Sequence, residues 1–163
     1  MRFLAIDLGI HSGWACNEPF NHGVEDFTLS RGESRGIIFL KFNRWLLMMN
    51  DLVKPSVIIF EQPHTRGGYA TEILVGMSTR ILDICATIGI ESMSVHSATL
   101  KKFATGSGKS KKPDMLLALS KTGISVEDDN ECDAIWLLKY AEDTLCQEKT
   151  PIRSQLNEPS LKV

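Results

Sequence analysis

Phe3-Leu4-Ala5-Ile6-Asp7 and, further along, Val57-Ile58-Ile59-Phe60-Glu61 share one pattern: a short apolar run that ends in a carboxylate. Runs this short, rich in β-branched and aromatic residues and followed by turn signals, read as strands buried on both faces of a sheet. A carboxylate at the end of such a strand is expensive to desolvate unless it has a task there. Two acids brought to one edge of a sheet point to a divalent cation as that task.

Outward from the first run, Leu8-Gly9-Ile10-His11-Ser12-Gly13 reads as a tight turn, Trp14-Ala15-Cys16 as the start of a second strand and Val24 to Leu29 as a third, which makes an antiparallel meander. From Glu33 to Val53, Ile37, Ile38, Leu40, Phe42, Trp45, Leu46 and Met49 recur at helical spacing, and Lys54-Pro55 stops the helix before the Val57 run. The result is a β-α-β crossover. A second helix is expected from about Thr71 to Ile88, closed by Gly89, with a strand over Ile90 to Val95 behind it. Ser97 or Thr99 would cap a short helix toward Phe103, Thr105 to Lys112 reads as a loop, and Pro113 suits the first turn of a helix over Asp114 to Lys121. Asn130 or a neighbour opens a last helix that runs to about Leu145. The order β-β-β-α-β-α-β-α-α predicts an α/β fold, a mixed five-stranded sheet flanked by helices.

With 163 residues, 43% of them hydrophobic, the chain suffices for one core. We expect a single domain over 1–146 and a polar, poorly ordered tail over 147–163, where Pro151 and Pro159 fall. A formal charge of -2 excludes a global basic field, so any nucleic acid must be met by a local patch. Cys16, Cys85, Cys132 and Cys146 are widely spaced and read as reduced core thiols rather than zinc ligands. Met1-Arg2 leads straight into the first strand, and no apolar run approaches the roughly 18 residues of a membrane span. No signal peptide and no membrane partner are expected, and the cytoplasm of a bacterial or phage-infected cell is the expected compartment.

A third acid joins the first two. Asp133 begins the apolar register Ala134, Ile135, Leu137, Leu138 and shares its helical face with Asn130 and Asp129, whereas Asp128 and Glu131 point elsewhere. Three carboxylates from two strand ends and one helix repel one another without a cation, and oxygen-only ligands suit Mg²⁺ or Mn²⁺. Two such ions about 4 Å apart would clamp the attacking water and the departing oxygen of a phosphodiester, which implies metal-dependent hydrolysis. The plainer alternative leaves these acids to strand-ending turns and to the dipole of a helix N-terminus.

From Ser92 to Pro113 there is no acid, while Lys101, Lys102, Lys109, Lys111 and Lys112 surround Gly106-Ser107-Gly108. A glycine loop flanked by lysines can follow a phosphate backbone without reading its sequence. A solvated loop is the competing reading.

Ile6-Asp7-Leu8-Gly9 with Gly13-Trp14-Ala15, the pair Glu61-Gln62, the spacing from Leu100-Lys101 through Gly-x-Gly to Lys112, and Asp133-Ala134 together resemble the RuvC-type Holliday junction resolvases of the RNase H-like superfamily, particularly their small bacteriophage versions. The resemblance implies a three-layer RNase H-like fold and a homodimer that binds a four-way DNA junction and nicks two opposing strands, one active site per subunit. It makes Asp7, Glu61 and Asp133 metal-binding catalytic acids. Lys101 and Lys112 would contact DNA or support the transition state, with Lys102, Lys109 and Lys111 as further DNA contacts. Many relatives carry an acid or a histidine where this chain has Asn130, so Asn130 or Asp129 would complete the metal site. His64 or Tyr69 stands near the family's base-stacking aromatic, and Arg66 would reach a phosphate. Dimerisation would fall to Ile73, Leu74, Met77, Ile81 and Leu82 on the helix after Thr71, unless that face is ordinary sheet-packing core. His11 lies close to Asp7 in sequence and would contact the metal unless it is an incidental turn histidine; Trp14, Trp45 and Trp136 read as core, and Phe103 as either core or surface.

Two other functions share these features: a nuclease with a wider range, acting on branched intermediates, flaps or RNA/DNA hybrids, and a junction-binding protein that does not cut. Retention of Asp7, Glu61 and Asp133 argues against a pure binder, which would gain by replacing acids near phosphates.

Overall fold

A computed structural model describes residues 1–64 and 67–147. Its elements run β1 (Phe3–Asp7), β2 (His11–Asn17), β3 (Phe20–Asp26), α1 (Gly36–Val53), β4 (Val57–Glu61), α2 (Gly68–Ile88), β5 (Glu91–Val95), α3 (Ser97–Thr105), α4 (Lys112–Ser120) and α5 (Asp129–Gln147). The five strands form one sheet in the order β3-β2-β1-β4-β5. β1, β2 and β3 are antiparallel, and β4 and β5 lie parallel on the other side of β1.

The two opening runs occupy the middle of this sheet, and their alternation builds both cores. Leu4, Ile6, Ile58 and Phe60 pack with Ile38, Phe42, Leu46, Ile73, Met77 and Ile81 of α1 and α2. Phe3, Ala5, Val57 and Ile59 point the other way, onto Leu100, Met115, Ile135 and Leu138 of α3, α4 and α5. Period-two side-chain alternation in fully buried strands therefore gives a three-layer structure with a mixed five-stranded sheet at its centre. Trp45 and Trp136 belong to these cores, Trp14 is half-buried against one of them, and Phe103 is exposed with its ring edge-on to Trp136 and Tyr140. Cys16, Cys85 and Cys132 are buried free thiols, whereas Cys146 is exposed.

Several boundaries differ from the sequence reading. Three helices follow β5, matching the three read one by one from the sequence and one more than the order β-β-β-α-β-α-β-α-α counts. The turn after β1 is shorter than expected because Ser12, fully buried, closes it: its hydroxyl donates to Gly9 O at 2.7 Å and accepts from Gly9 N–H at 3.2 Å. β2 thus begins at His11, and Gly13 is a strand residue opposite Asp7. β3 covers Phe20–Asp26 rather than Val24 to Leu29. It is an edge strand with much of its surface exposed, so it lacks the burial alternation that marks a strand in sequence, while the apolar Phe27 that suggested one lies past its end in the core.

α1 starts at Gly36 and ends at Lys54, whose left-handed φ of 51° lets its N–H donate to Asn50 O at 2.8 Å. α2 starts at Gly68 and stops at Gly89, which adopts φ 73° as a helix-ending glycine should. α3 is capped by neither Ser97 nor Thr99 but by His96, whose Nδ1 accepts the Ala98 N–H at 3.3 Å. The tail over 148–163 lies outside the described residues, as does Arg66.

Candidate active site

β1 and β4 run parallel with Ile6 level with Phe60, so Asp7 and Glu61, one residue further on each, end their strands side by side. Parity decides which way they face. Asp7 follows Phe3 and Ala5, and Glu61 follows Val57 and Ile59, all directed at α5. The same alternation that fills one core thus turns both acids toward the helix that carries Asp133.

The start of α5 is pinned in three ways. Asp128 Oδ1 accepts the N–H groups of Asn130 and Glu131 at 2.8 and 3.1 Å, the side-chain capping expected of an Asp preceding a helix. Glu131 Oε1 meets His22 Nδ1 on β3 at 2.6 Å. Gly13 on β2 sits so close beneath that a Cβ there would collide with the Asn130 carbonyl. Gly13 and the His22–Glu131 pair were not singled out from sequence as parts of the site; the Gly-Trp-Ala run carried Gly13 only as a motif letter.

Asp7, Glu61, Asn130 and Asp133 line one open cleft of about 470 Å³, together with His64, Lys101 and Lys112. Burial holds the pKa of the Asp7 carboxyl well above the usual carboxylate range, with Asp133 and Glu61 adding to the shift and Lys112 offsetting part of it. Asp133 is pushed up to about 6, again first by burial and then by Glu61, with Lys112 and Lys101 opposing. Asp7 and Asp133 are therefore within electrostatic reach of each other and of Glu61, in surroundings that disfavour their own charge.

The donor set is all oxygen and its mutual repulsion is what a hard divalent cation relieves, so residues and group fit in chemistry. As placed, they are not a preformed cage: among the described residues no three His, Cys, Asp or Glu side chains are gathered closely enough to hold a metal ion. Side-chain rotation within the cleft has to complete such a set.

The remaining candidates separate. Asn130 faces the cleft, whereas Asp129 pairs with Lys112 and is absent from the cleft wall. His64 lines the cleft with Nε2 3.5 Å from Glu61 Oε1, and its ring is edge-on to His96. Tyr69 belongs to an adjoining apolar pocket of about 340 Å³ with Ile10, Ile73 and Leu74, and the Arg35 guanidinium lies 4.8 Å from its ring centre. Lys101 and Lys112 line the cleft; Lys102, Lys109 and Lys111 are exposed outside it. Lys111 precedes α4, its N–H donating to Asp114 Oδ2 at 2.8 Å. His11 pairs with Asp26 on β3 at 3.3 Å and lines the Tyr69 pocket, not the cleft.

The face expected to form a dimer is corrected in most of its residues. Ile73, Met77 and Ile81 are buried against the sheet and Leu74 packs beside them, because a helix covering a sheet must spend its apolar stripe there. Leu82 alone of that set is exposed, and it joins Val75 on α2 and Leu40, Leu47, Met48 and Leu52 on α1 as exposed apolar side chains.

No protein-family model matches the sequence, and no curated protein matches it either. Solved structures do. Thermus thermophilus RuvC superposes with a TM-score of 0.72 at 16% identity, over 91% of this chain and 97% of that one. T. thermophilus RuvC in complex with a Holliday junction substrate gives 0.70 at 16% identity, over 85% and 90%. The yeast mitochondrial Holliday junction resolvase Ydc2 gives 0.60 at 16% identity, over 90% and 83%. The fold is thus the RuvC-type, RNase H-like fold that the sequence resemblance implied.

Proposed function

We propose that this chain is a Mg²⁺- or Mn²⁺-dependent endonuclease that acts on branched DNA, resolving four-way junctions by paired nicks as a homodimer. The observation that carries the reading is the single cleft at the C-terminal edge of β1 and β4. There three mutually repelling acids, an amide and two lysines converge, on a fold shared with T. thermophilus RuvC and Ydc2. A sheet edge of this kind is where α/β folds place their chemistry.

Asp7, Glu61, Asp133 and Asn130 would hold the metal. Bound there, Mg²⁺ supplies Lewis-acid activation of water and neutralises charge on the phosphate. The chain's own residues supply the rest. Burial and repulsion leave Asp7 and Asp133 short of favourable partners, so their carboxylates gain more from a cation than exposed acids do. Lys101 and Lys112 give the rim the positive charge that a chain of net charge -2 lacks overall, and they attract a phosphodiester to acids that would otherwise repel it. His64, beside Glu61, is placed to meet the strand at the cleft mouth. Lys102, Lys109 and Lys111, exposed outside the cleft, would extend the basic surface toward a flanking arm of the junction, with Tyr69 as a further contact; Arg66, expected from sequence to reach a phosphate, lies outside the described residues. A second copy would pack against the exposed apolar side chains of α1 and α2, giving two cleavage sites per assembly.

The test is cleavage of a mobile four-way junction with both nicks mapped, compared with three-way, flap and RNA/DNA hybrid substrates. The expected result is paired symmetric nicks in Mg²⁺, abolished in Asp7→Asn while junction binding persists. Equal cutting of every substrate overturns junction resolution in favour of the broader nuclease. Tight binding with no metal-dependent nick overturns catalysis.

A further inference from the structure

We infer that Asp129 is the positioning residue for Lys112, fixing the lysine ammonium at the mouth of the cleft, and that it is not a metal ligand. The inference rests on the nuclease reading of that cleft.

Lys112 is the first residue of α4, where the helix dipole disfavours a cation, and its side chain is 68% exposed. Left alone, such a lysine samples many rotamers in water. Its Nζ instead pairs with Asp129 Oδ2, its one ion pair among the described residues. Asp129 is the better-anchored partner. It opens α5 directly after Asp128, whose carboxylate caps that helix, and it precedes the turn that Gly13 and His22 hold in place.

The pair therefore hangs a flexible cation on a fixed carboxylate. From that position Lys112 still lines the cleft together with Asp7 and Asp133, so its charge faces the two acids at once. Lys101 lines the cleft as well, but it holds no such pair among the described residues. Asn130 and Asp129, neighbours at the start of one helix, divide the work: the amide faces the cleft and the carboxylate faces the lysine. A phosphate entering the cleft would meet an ammonium already in place rather than one that must be recruited from solvent.

A positioning role and a ligand role differ in what they couple to. The experiment compares the intact chain with Asp129→Asn, Asp129→Glu, Lys112→Met and the double variant Asp129→Asn/Lys112→Met. The first readout needs neither metal nor DNA: the ¹⁵N signal of the Lys112 ammonium, which pairing shields from fast exchange. The expected result is a resolved signal in the wild type, lost in Asp129→Asn and restored in Asp129→Glu. The second is single-turnover junction cleavage across a Mg²⁺ titration. Asp129→Asn is expected to slow cleavage about 10-fold at saturating Mg²⁺, with the Mg²⁺ midpoint unchanged and no further loss in the Lys112→Met background.

A raised Mg²⁺ midpoint, or losses that multiply in the double variant, overturns the inference and makes Asp129 a ligand or an independent contributor. An ammonium signal indifferent to Asp129→Asn overturns it equally. A wild-type protein that cuts no branched DNA overturns the nuclease reading instead, and the ammonium signal then still decides the pairing.

Discussion

The alpha carbon of Gly13 lies directly beneath the backbone of Asn130, with no room between them for a side chain. A Cβ on Gly13 would also come within 2.7 Å of Glu131 N, and these are backbone atoms that cannot swing aside. Gly13 is thereby a spacing element: the closeness of β2 to α5 sets how deeply Asp133 and Asn130 enter the cleft.

Gly13→Ala should accordingly lift the start of α5 from the sheet. We expect a loss of about 1–3 kcal/mol in stability, the range for an overpacked buried contact, together with a fall in cleavage. Urea unfolding and junction cleavage at a temperature where the variant is folded check this. A stability within 0.5 kcal/mol of wild type would show that the helix moves freely there.

Asp133→Asn tests the electrostatics in the metal-free protein. Asp133 titrates near 6 in the folded chain, above an unfolded carboxyl near 3.9, so its folded form binds the proton more tightly. The sign follows: its contribution to stability is fully present below the unfolded value and is lost as pH rises through about 6. Asp7, raised by burial and by Asp133, acts in the same direction. In EDTA, then, the wild type should lose stability between pH 4 and 7, and Asp133→Asn should be more stable than wild type at pH 7.5 by on the order of 1–2 kcal/mol, less so at pH 4.5. Thermal melts at the two pH values give the comparison, and a variant less stable than wild type at pH 7.5 contradicts it.

His22→Ala removes the 2.6 Å contact that ties β3 to Glu131. Both side chains are about three-quarters buried or more, at 27% and 19% exposure, so the loss should exceed that of a surface pair: about 1–2 kcal/mol by chemical unfolding. Amide hydrogen exchange should accelerate first at Asn130 to Asp133. Exchange that rises evenly along α5 instead would argue against a local brace.

Met77→Glu and Leu82→Glu separate the two faces of α2. Met77 is fully buried in the sheet-facing core, so a carboxylate there should unfold the protein. Leu82 is 51% exposed, and Leu82→Glu should leave folding within about 0.5 kcal/mol while weakening self-association by light scattering. Unchanged association in Leu82→Glu combined with Leu52→Glu would move any dimer contact off this surface.

The parts of the fold legible in sequence are those with strong periodicity: β1 and β4 as unbroken apolar runs, α1 by its 3.6-residue spacing, α2 by its closing Gly89. β3 was misplaced because an exposed edge strand has no buried face to write a pattern into its residues. Gly13 was misread as a turn because glycine signals flexibility locally, whereas its reason here is a contact with Asn130, distant in sequence.

By itself the sequence determined the strand-end acids, since an apolar run that terminates in Asp7 or Glu61 fixes both the strand and its polar end. It also determined that Asp133 and Asn130 share a helical face, which follows from the geometry of any α-helix. Tertiary packing alone shows that Asn130 lines the cleft while Asp129 pairs with Lys112, and that α2 turns most of its apolar stripe to the core. Both outcomes depend on what lies opposite a helix: Lys112 takes Asp129 because α4 packs beside α5, and the sheet takes Met77 because β4 and β5 lie beneath α2. Periodicity can say which residues share a side of a helix, but only packing says what that side meets.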